Sequence, residues 1–178
     1  MRIPPWSDDR APRDAALVEA ILKRRGGALI NLDRALLWSE PLARAWNVFL
    51  GAVRREMVFD ARLREIAICT VARATGAEYE FNHHWPEYTR AGGYERLRDR
   101  LADIDAAARD PAFTDDERLV MRYALASTRE VKVSPALFEE LKARFPTTEI
   151  VELTAAIATY NMVARFLVAL EVNDEPKG

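Results

Sequence analysis

The chain has 178 residues, 49% hydrophobic and 30% charged, with 26 lysines and arginines against 28 aspartates and glutamates and a formal net charge of −2. That length can bury a sizeable core in one domain. The near-balance excludes the basic excess by which duplex-binding proteins displace counterions, so no nucleic-acid partner is expected. Cys69 is the only cysteine, which excludes an internal disulfide, a CxxC redox pair and a thiolate zinc site, and fits an intracellular compartment. Arginine outnumbers lysine, so local anion sites remain open to guanidinium forks.

The opening MRIPPWSDDRAPRD lacks the apolar segment of a secretory signal, and no run approaches the ~18 apolar residues of a membrane span. A soluble, cytoplasmic protein with no membrane partner is expected, as one domain over 1–178 with an extended arm at 1–13 and a polar tail at 173–178. Asp14 caps a first helix carrying Leu17, Val18, Ile21 and Leu22, which stops at Gly26 and Gly27. A short turn or helix follows from Leu29 to Trp38. Ser39 then caps a helix whose buried stripe is expected at Leu42, Ala45, Trp46, Phe49 and Val53.

Asp60 caps the next helix, which carries Glu65 and ends at Gly76. Another runs from about Glu78 to Ala91, with Pro86 kinking or restarting it. Tyr94 to about Asp103 reads as a short charged helix, and the stretch to Phe113 as a connection. Thr114 and Glu117 form a capping box ahead of Leu119, Val120 and Tyr123. Ser134 followed by Pro135 starts a helix through Leu137, Phe138, Leu141 and Phe145. From Pro146 and Thr147 a long helix runs to about Val172, apolar around much of its circumference and therefore central or in a subunit interface. No strand pattern is present, so the fold class is all-α.

The segment LREIAICTVARATGAEYEFNHHWPEYTRAGG, Leu63 to Gly93, holds the chemistry-bearing residues. At ~100° per residue, Glu65 shares a face with Ile68, Cys69 and Ala72, opposite Leu63, Ile66 and Val71, so both sides of this helix are apolar. Two readings of Glu65 stand. In one it is buried, its pKa raised by desolvation unless a cation or several donors hold it ionised, and serves as an acid or base. In the other it sits in the first turn, meets the helix dipole and pairs with Arg62 or Arg64 at the surface.

On the following helix Phe81, Trp85 and Tyr88 share a face, His84 borders it beside Glu80, and His83 and Glu87 turn toward solvent. Glu80 and His84, at i and i+4, can hydrogen-bond, which orients the imidazole and favours its charged form; the alternative is a surface pair worth a few tenths of a kcal/mol. Glu80, His83, His84 and Glu87 are possible metal ligands, but adjacent histidines diverge by ~100° and no HExxH or HxxEH spacing occurs, so no metal is expected. Cys69 reads as a small buried hydrophobe. Tyr160 and Asn161 either line a pocket or satisfy structural partners.

Glu65 to Gly92, with its REIAI opening, GAEYEFNHH centre and AGG close, resembles the carboxymuconolactone decarboxylase superfamily, which includes alkyl hydroperoxidase D-like proteins. The similarity extends from about Leu36 to YNMVARFLVALEV. It implies an all-helical bundle of about six to eight helices and a homo-oligomer, a trimer or a hexamer. The peroxidase branch carries a glutamate, a CxxC pair and a histidine. Glu65 matches that glutamate and His84 that histidine, whereas Ala77 and Glu80 stand where the cysteines belong and Cys69 is out of register. The resemblance thus implies no thiol peroxidase. What survives is an acid–base set, Glu65, Glu80 and His84, with Phe81, Trp85 and Tyr88 lining a substrate pocket and Arg73 or Arg165 available for a substrate carboxylate. The implied activity is a cofactor-free, decarboxylase-like lyase or isomerase acting on a small carboxylated lactone or related acid. The alternative is a non-catalytic, oligomeric small-molecule-binding protein.

Overall fold

The structure, a computed structural model, describes residues 1–7 and 14–175; parts of the arm expected at 1–13 and of the tail at 173–178 lie outside them. Among the described residues there are α-helices and one 3₁₀ helix and no strand. The chain divides into two compact units, Met1–Met57 with Ala169–Gly178, and Val58–Val168.

The first unit holds α1 (Ala15–Arg25), α2 (Asn31–Leu36) and α3 (Glu40–Arg55), with α1 and α2 both against α3. Asp14 accepts from the Leu17 amide and Gly26 closes α1 at φ 76°, a left-handed position that costs glycine little. Asp33 is buried and takes Arg25 Nε at 2.8 Å and Arg24 Nη2 at 3.3 Å, so its charge is matched where water is excluded. The buried stripe of α3 is Ala43, Trp46, Leu50 and Val53. Leu42, Ala45 and Phe49, expected inside, are exposed. The helix is apolar on two adjacent faces, and the one centred on Ala43 and Leu50 is the one covered.

The second unit contains α4 (Ala61–Thr75), α5 (Glu78–Arg90), the 3₁₀ helix Glu95–Ala102, α6 (Ile104–Ala107), α7 (Asp115–Glu130), α8 (Pro135–Arg144) and most of α9 (Thr147–Leu170). The 3₁₀ helix and α6 stand where a charged helix and a connection were expected. Asp60 caps α4 through the Leu63 amide, and Gly76 ends it at φ 70°. Packed by α5 and α7, α4 buries every residue from Leu63 to Ala72, its charged residues included. Each large apolar side chain so buried contributes roughly 1.5–3 kcal/mol.

α5 runs unbroken through Pro86, which sits on the exposed side, where water can satisfy the carbonyl its missing N–H leaves. Thr114 and Glu117 form the capping box of α7, and Ser134 caps α8 through the Leu137 amide. α9 is long and apolar enough to cross a membrane by composition, but half of its most apolar window is buried within the protein, as in a core helix.

Past the end of α5, a Cβ on Gly93 would lie 2.2 Å from Tyr88 Cε1, against a ring that is itself fully buried. Gly93→Ala should therefore cost about 1–3 kcal/mol, lowering Tm by several degrees. Gly51, inside α3, faces only the far end of the Arg55 side chain, and Gly51→Ala should stabilise by about 0.5–1 kcal/mol. Urea denaturation of the two variants checks both signs.

Candidate proton-transfer site

Glu65 comes from the first turns of α4 and His84 from the middle of α5, and the packing of the two helices joins them. His84 Nδ1 lies 2.6 Å from Glu65 Oε2. On the other side of the ring, Nε2 lies 3.1 Å from Glu80 Oε2, the i,i+4 partner on α5. Glu65, Glu80 and His84 are all buried. Arg64, also buried, donates from Nε and Nη2 to Glu65 Oε1 at 3.3 Å. Tyr160 of α9 sets its ring edge-on to the imidazole, centroids 4.8 Å apart. Two carboxylates, one imidazolium and one guanidinium form a group without net charge, the condition under which buried ions are tolerated.

Burial alone would lower the His84 pKa, but the Glu65 carboxylate, reinforced by Glu80, overrides it and pushes it up to about 9. Burial would raise the Glu65 carboxyl; His84 first, and Arg64 next, outweigh this and hold it below its ordinary range. At neutral pH the imidazole is therefore a cation between two anions. The Cys69 thiol, wholly buried and close to the Glu65 carboxylate, is pushed well up. It stays protonated and is a poor nucleophile.

Of the two readings of Glu65, the structure combines parts of each: it is buried, and Arg64 is its partner inside the protein. Arg62 instead approaches Glu117 Oε1 at 3.8 Å. Phe81, Trp85 and Tyr88 are fully packed. Trp85 Nε1 donates to Glu95 at 2.7 Å and the Tyr88 hydroxyl to Glu117 at 2.8 Å. Tyr88 is held protonated by burial and by Glu117, which push its pKa up.

His83 meets the Tyr79 carbonyl at 2.8 Å and stacks on the Tyr79 ring. Among the described residues no group of three or more His, Cys, Asp or Glu is placed to hold a metal ion. Arg165 donates to Asn161 one turn earlier on α9, and Asn161 donates to Thr128, so both have structural partners. Arg73 pairs with Glu78 and lies 3.5 Å above the Phe81 ring. The contact of Tyr160 with His84 crosses between helices and carries no sequence signal, since helical angles order residues only within one helix, whereas the Arg64–Glu65 pair joins chain neighbours on α4.

No family model matches the chain. Over 75 residues, 42% of its length, it is 37% identical to the uncharacterized protein YnjA of Escherichia coli strain K12, and the match spans 41% of that protein. A peroxidase-related protein from Silicibacter sp. TM1040 superposes over 97% of this chain and 93% of its own, with a TM-score of 0.81 and 17% identity. The fold is the alkyl hydroperoxidase D-like one. An alkylhydroperoxidase AhpD core protein from Ralstonia eutropha JMP134 has this architecture too, with a TM-score of 0.79 and 16% identity over 98% of this chain and 95% of its own. So does a cysteine-to-alanine variant of the debrominase Bmp8 in complex with 2,3,4-tribromopyrrole, with a TM-score of 0.77 and 18% identity over 97% and 90%. At these identities the likeness shows the alkyl hydroperoxidase D-like fold, with the Glu65–His84 pair lodged between its α4 and α5.

The raised His84 pKa links charge to stability. The imidazolium's contribution is complete below its unfolded pKa of 6.5 and is lost as pH rises through about 9. Unfolding free energy should fall by an amount on the order of 3 kcal/mol between pH 6 and pH 9.5. Urea titrations across that range check it, and His84→Gln should flatten the slope.

Proposed function

We propose that this protein is a cofactor-free acid–base catalyst, a decarboxylase-like lyase or isomerase acting on a small carboxylated lactone or related acid, with Glu65, Glu80 and His84 as its proton-transfer centre. The observation that carries this reading is the 2.6 Å contact between Glu65 and His84 inside the protein, which holds a proton donor charged at neutral pH. The Bmp8 structure, a debrominase bound to a small heterocycle on the same fold, supports a small-molecule substrate. A thiol peroxidase is disfavoured because Cys69 is buried and its thiol pKa raised.

In the lyase form, the bond between the substrate carbon and its carboxylate breaks and carbon dioxide leaves. The electron pair is taken up as an enolate by the adjacent carbonyl. His84 then gives its proton to that carbon. Such a carbon is far more basic than an imidazole of pKa about 9, so the transfer runs downhill although the donor stays loaded at pH 7. Glu65 holds Nδ1 and sets the tautomer left behind. Glu80, at Nε2, must swing aside or relay the proton, and the imidazole then takes a proton back from water.

One observation favours a second reading, a non-catalytic, oligomeric small-molecule-binding protein. Both ring nitrogens of His84 face carboxylates, and Phe81, Trp85 and Tyr88 are packed with no exposed face. The two readings separate on turnover. A panel of small lactone acids assayed for carbon dioxide release should show activity that His84→Ala lowers by at least ~100-fold with the helical circular dichroism intact. Activity unchanged in His84→Ala would sink the assignment. Thermal stabilisation by a lactone acid without turnover would select the binding protein. Glu65→Gln should move the basic limb of the pH–rate profile to lower pH, because the imidazolium loses its nearer counter-anion.

A further inference from the structure

Arg73, near the end of α4, and Arg98, in the 3₁₀ helix, both place guanidinium groups on the ring of Phe81, at 3.5 and 4.8 Å from its centroid. The ring attracts each cation, while the two cations repel each other. Their partners do not settle that charge. Arg98 Nη2 donates to Asn82 Oδ1 at 2.9 Å, a neutral acceptor, and among the described residues no carboxylate pairs with it. Arg73 Nη1 reaches the two oxygens of Glu78 at 2.6 and 2.9 Å, but that side chain is 63% exposed, so water competes for it. Arg73 Nε is buried and has no hydrogen-bond partner among the described residues. The two cations thus have one paired anion between them, the solvated Glu78 on Arg73, and Arg73 Nε is left unused.

The pair also belongs to the neighbourhood of the proton-transfer site. Glu65, Glu80, Arg73 and Arg98 are the charges that act on the Cys69 thiol, and Phe81 directly follows Glu80 on α5. Neither arginine is sealed off: Arg73 is 22% exposed and Arg98 half-buried. A planar fork suits a carboxylate, and the single excess positive charge suits a monoanionic group better than a phosphate dianion.

We propose that Arg73 and Arg98 form a two-guanidinium clamp for the carboxylate of a small organic acid. The identity of that acid as the substrate rests on the acid–base reading above; the clamp itself does not. Within that reading the clamp holds the carboxylate that persists through the reaction. Ion pairing stabilises the very charge that a departing carboxylate must give up, so a clamp on the leaving group would raise the barrier.

Calorimetric titration of the full chain with succinate, its dimethyl ester and inorganic phosphate tests this. Succinate should bind and the ester should not. Arg98→Gln and Arg73→Gln should each weaken succinate by about tenfold or more, and Arg98→Lys should restore only part of the loss. Glu78→Gln removes the competing exposed carboxylate and should tighten succinate several-fold, a gain that no damaged fold would give. Succinate binding no better than the ester, phosphate binding more tightly than succinate, or Arg98→Gln binding as the parent does would each overturn the clamp. His84→Gln should keep succinate binding while losing turnover. Binding that depends on both arginines, in a protein that turns over no lactone acid, would leave the clamp standing and fail the lyase reading alone.

Discussion

The arrangement of α4 and α5 depends on a protonated imidazole held between two carboxylates where water is excluded. Each ion by itself would be too costly to bury, and each is tolerated because the others are fixed within reach. His84 on α5 needs Glu65 on α4 as its counter-anion, and Glu65 leans on Arg64, its neighbour in the chain. Removing any one member leaves an unmatched charge in the interior, so the four act as a unit. This is why α4 can be covered on all sides between Leu63 and Ala72 while carrying an arginine and a glutamate there.

The surrounding contacts fix the orientation of the helices that carry this group. Glu117 completes the capping box with Thr114 and receives the Tyr88 hydroxyl, so one carboxylate both starts α7 and anchors α5 to it. Trp85 reaches Glu95 at the entry to the 3₁₀ helix, and Gly93 lets the chain pass against the face of Tyr88. Trp85 and Tyr88, buried rather than open to a pocket, tie α5 to its neighbours through these bonds. Held on both sides, α5 presents His84 to α4 in a single setting.

Much of the fold could be read from the chain because its helix ends are marked by local chemistry. Asp14, Asp60, Thr114 with Glu117, and Ser134 each cap the helix expected of them, and Gly26 and Gly76 close theirs in the left-handed region. These signals act within four residues and need no knowledge of the tertiary structure. The buried face of α3 lacks such a local mark, since two neighbouring faces, one through Leu42 and Phe49 and one through Ala43 and Leu50, are apolar and only packing decides between them. The same limit applies at the site. Helical spacing pairs Glu80 with His84, but the closer bond, to Glu65, crosses between helices, and Arg64 looked like a surface residue because charge usually is.

Cys69 lies in the covered stretch of α4, with no exposed surface and with the Glu65 carboxylate disfavouring its ionisation. An oxidant or alkylating agent in the surrounding medium would find no sulfhydryl to attack unless the second unit opened. On an architecture shared with peroxidase-related proteins, this chain's lone thiol is chemically silent, and its folded state is insulated from thiol-directed stress.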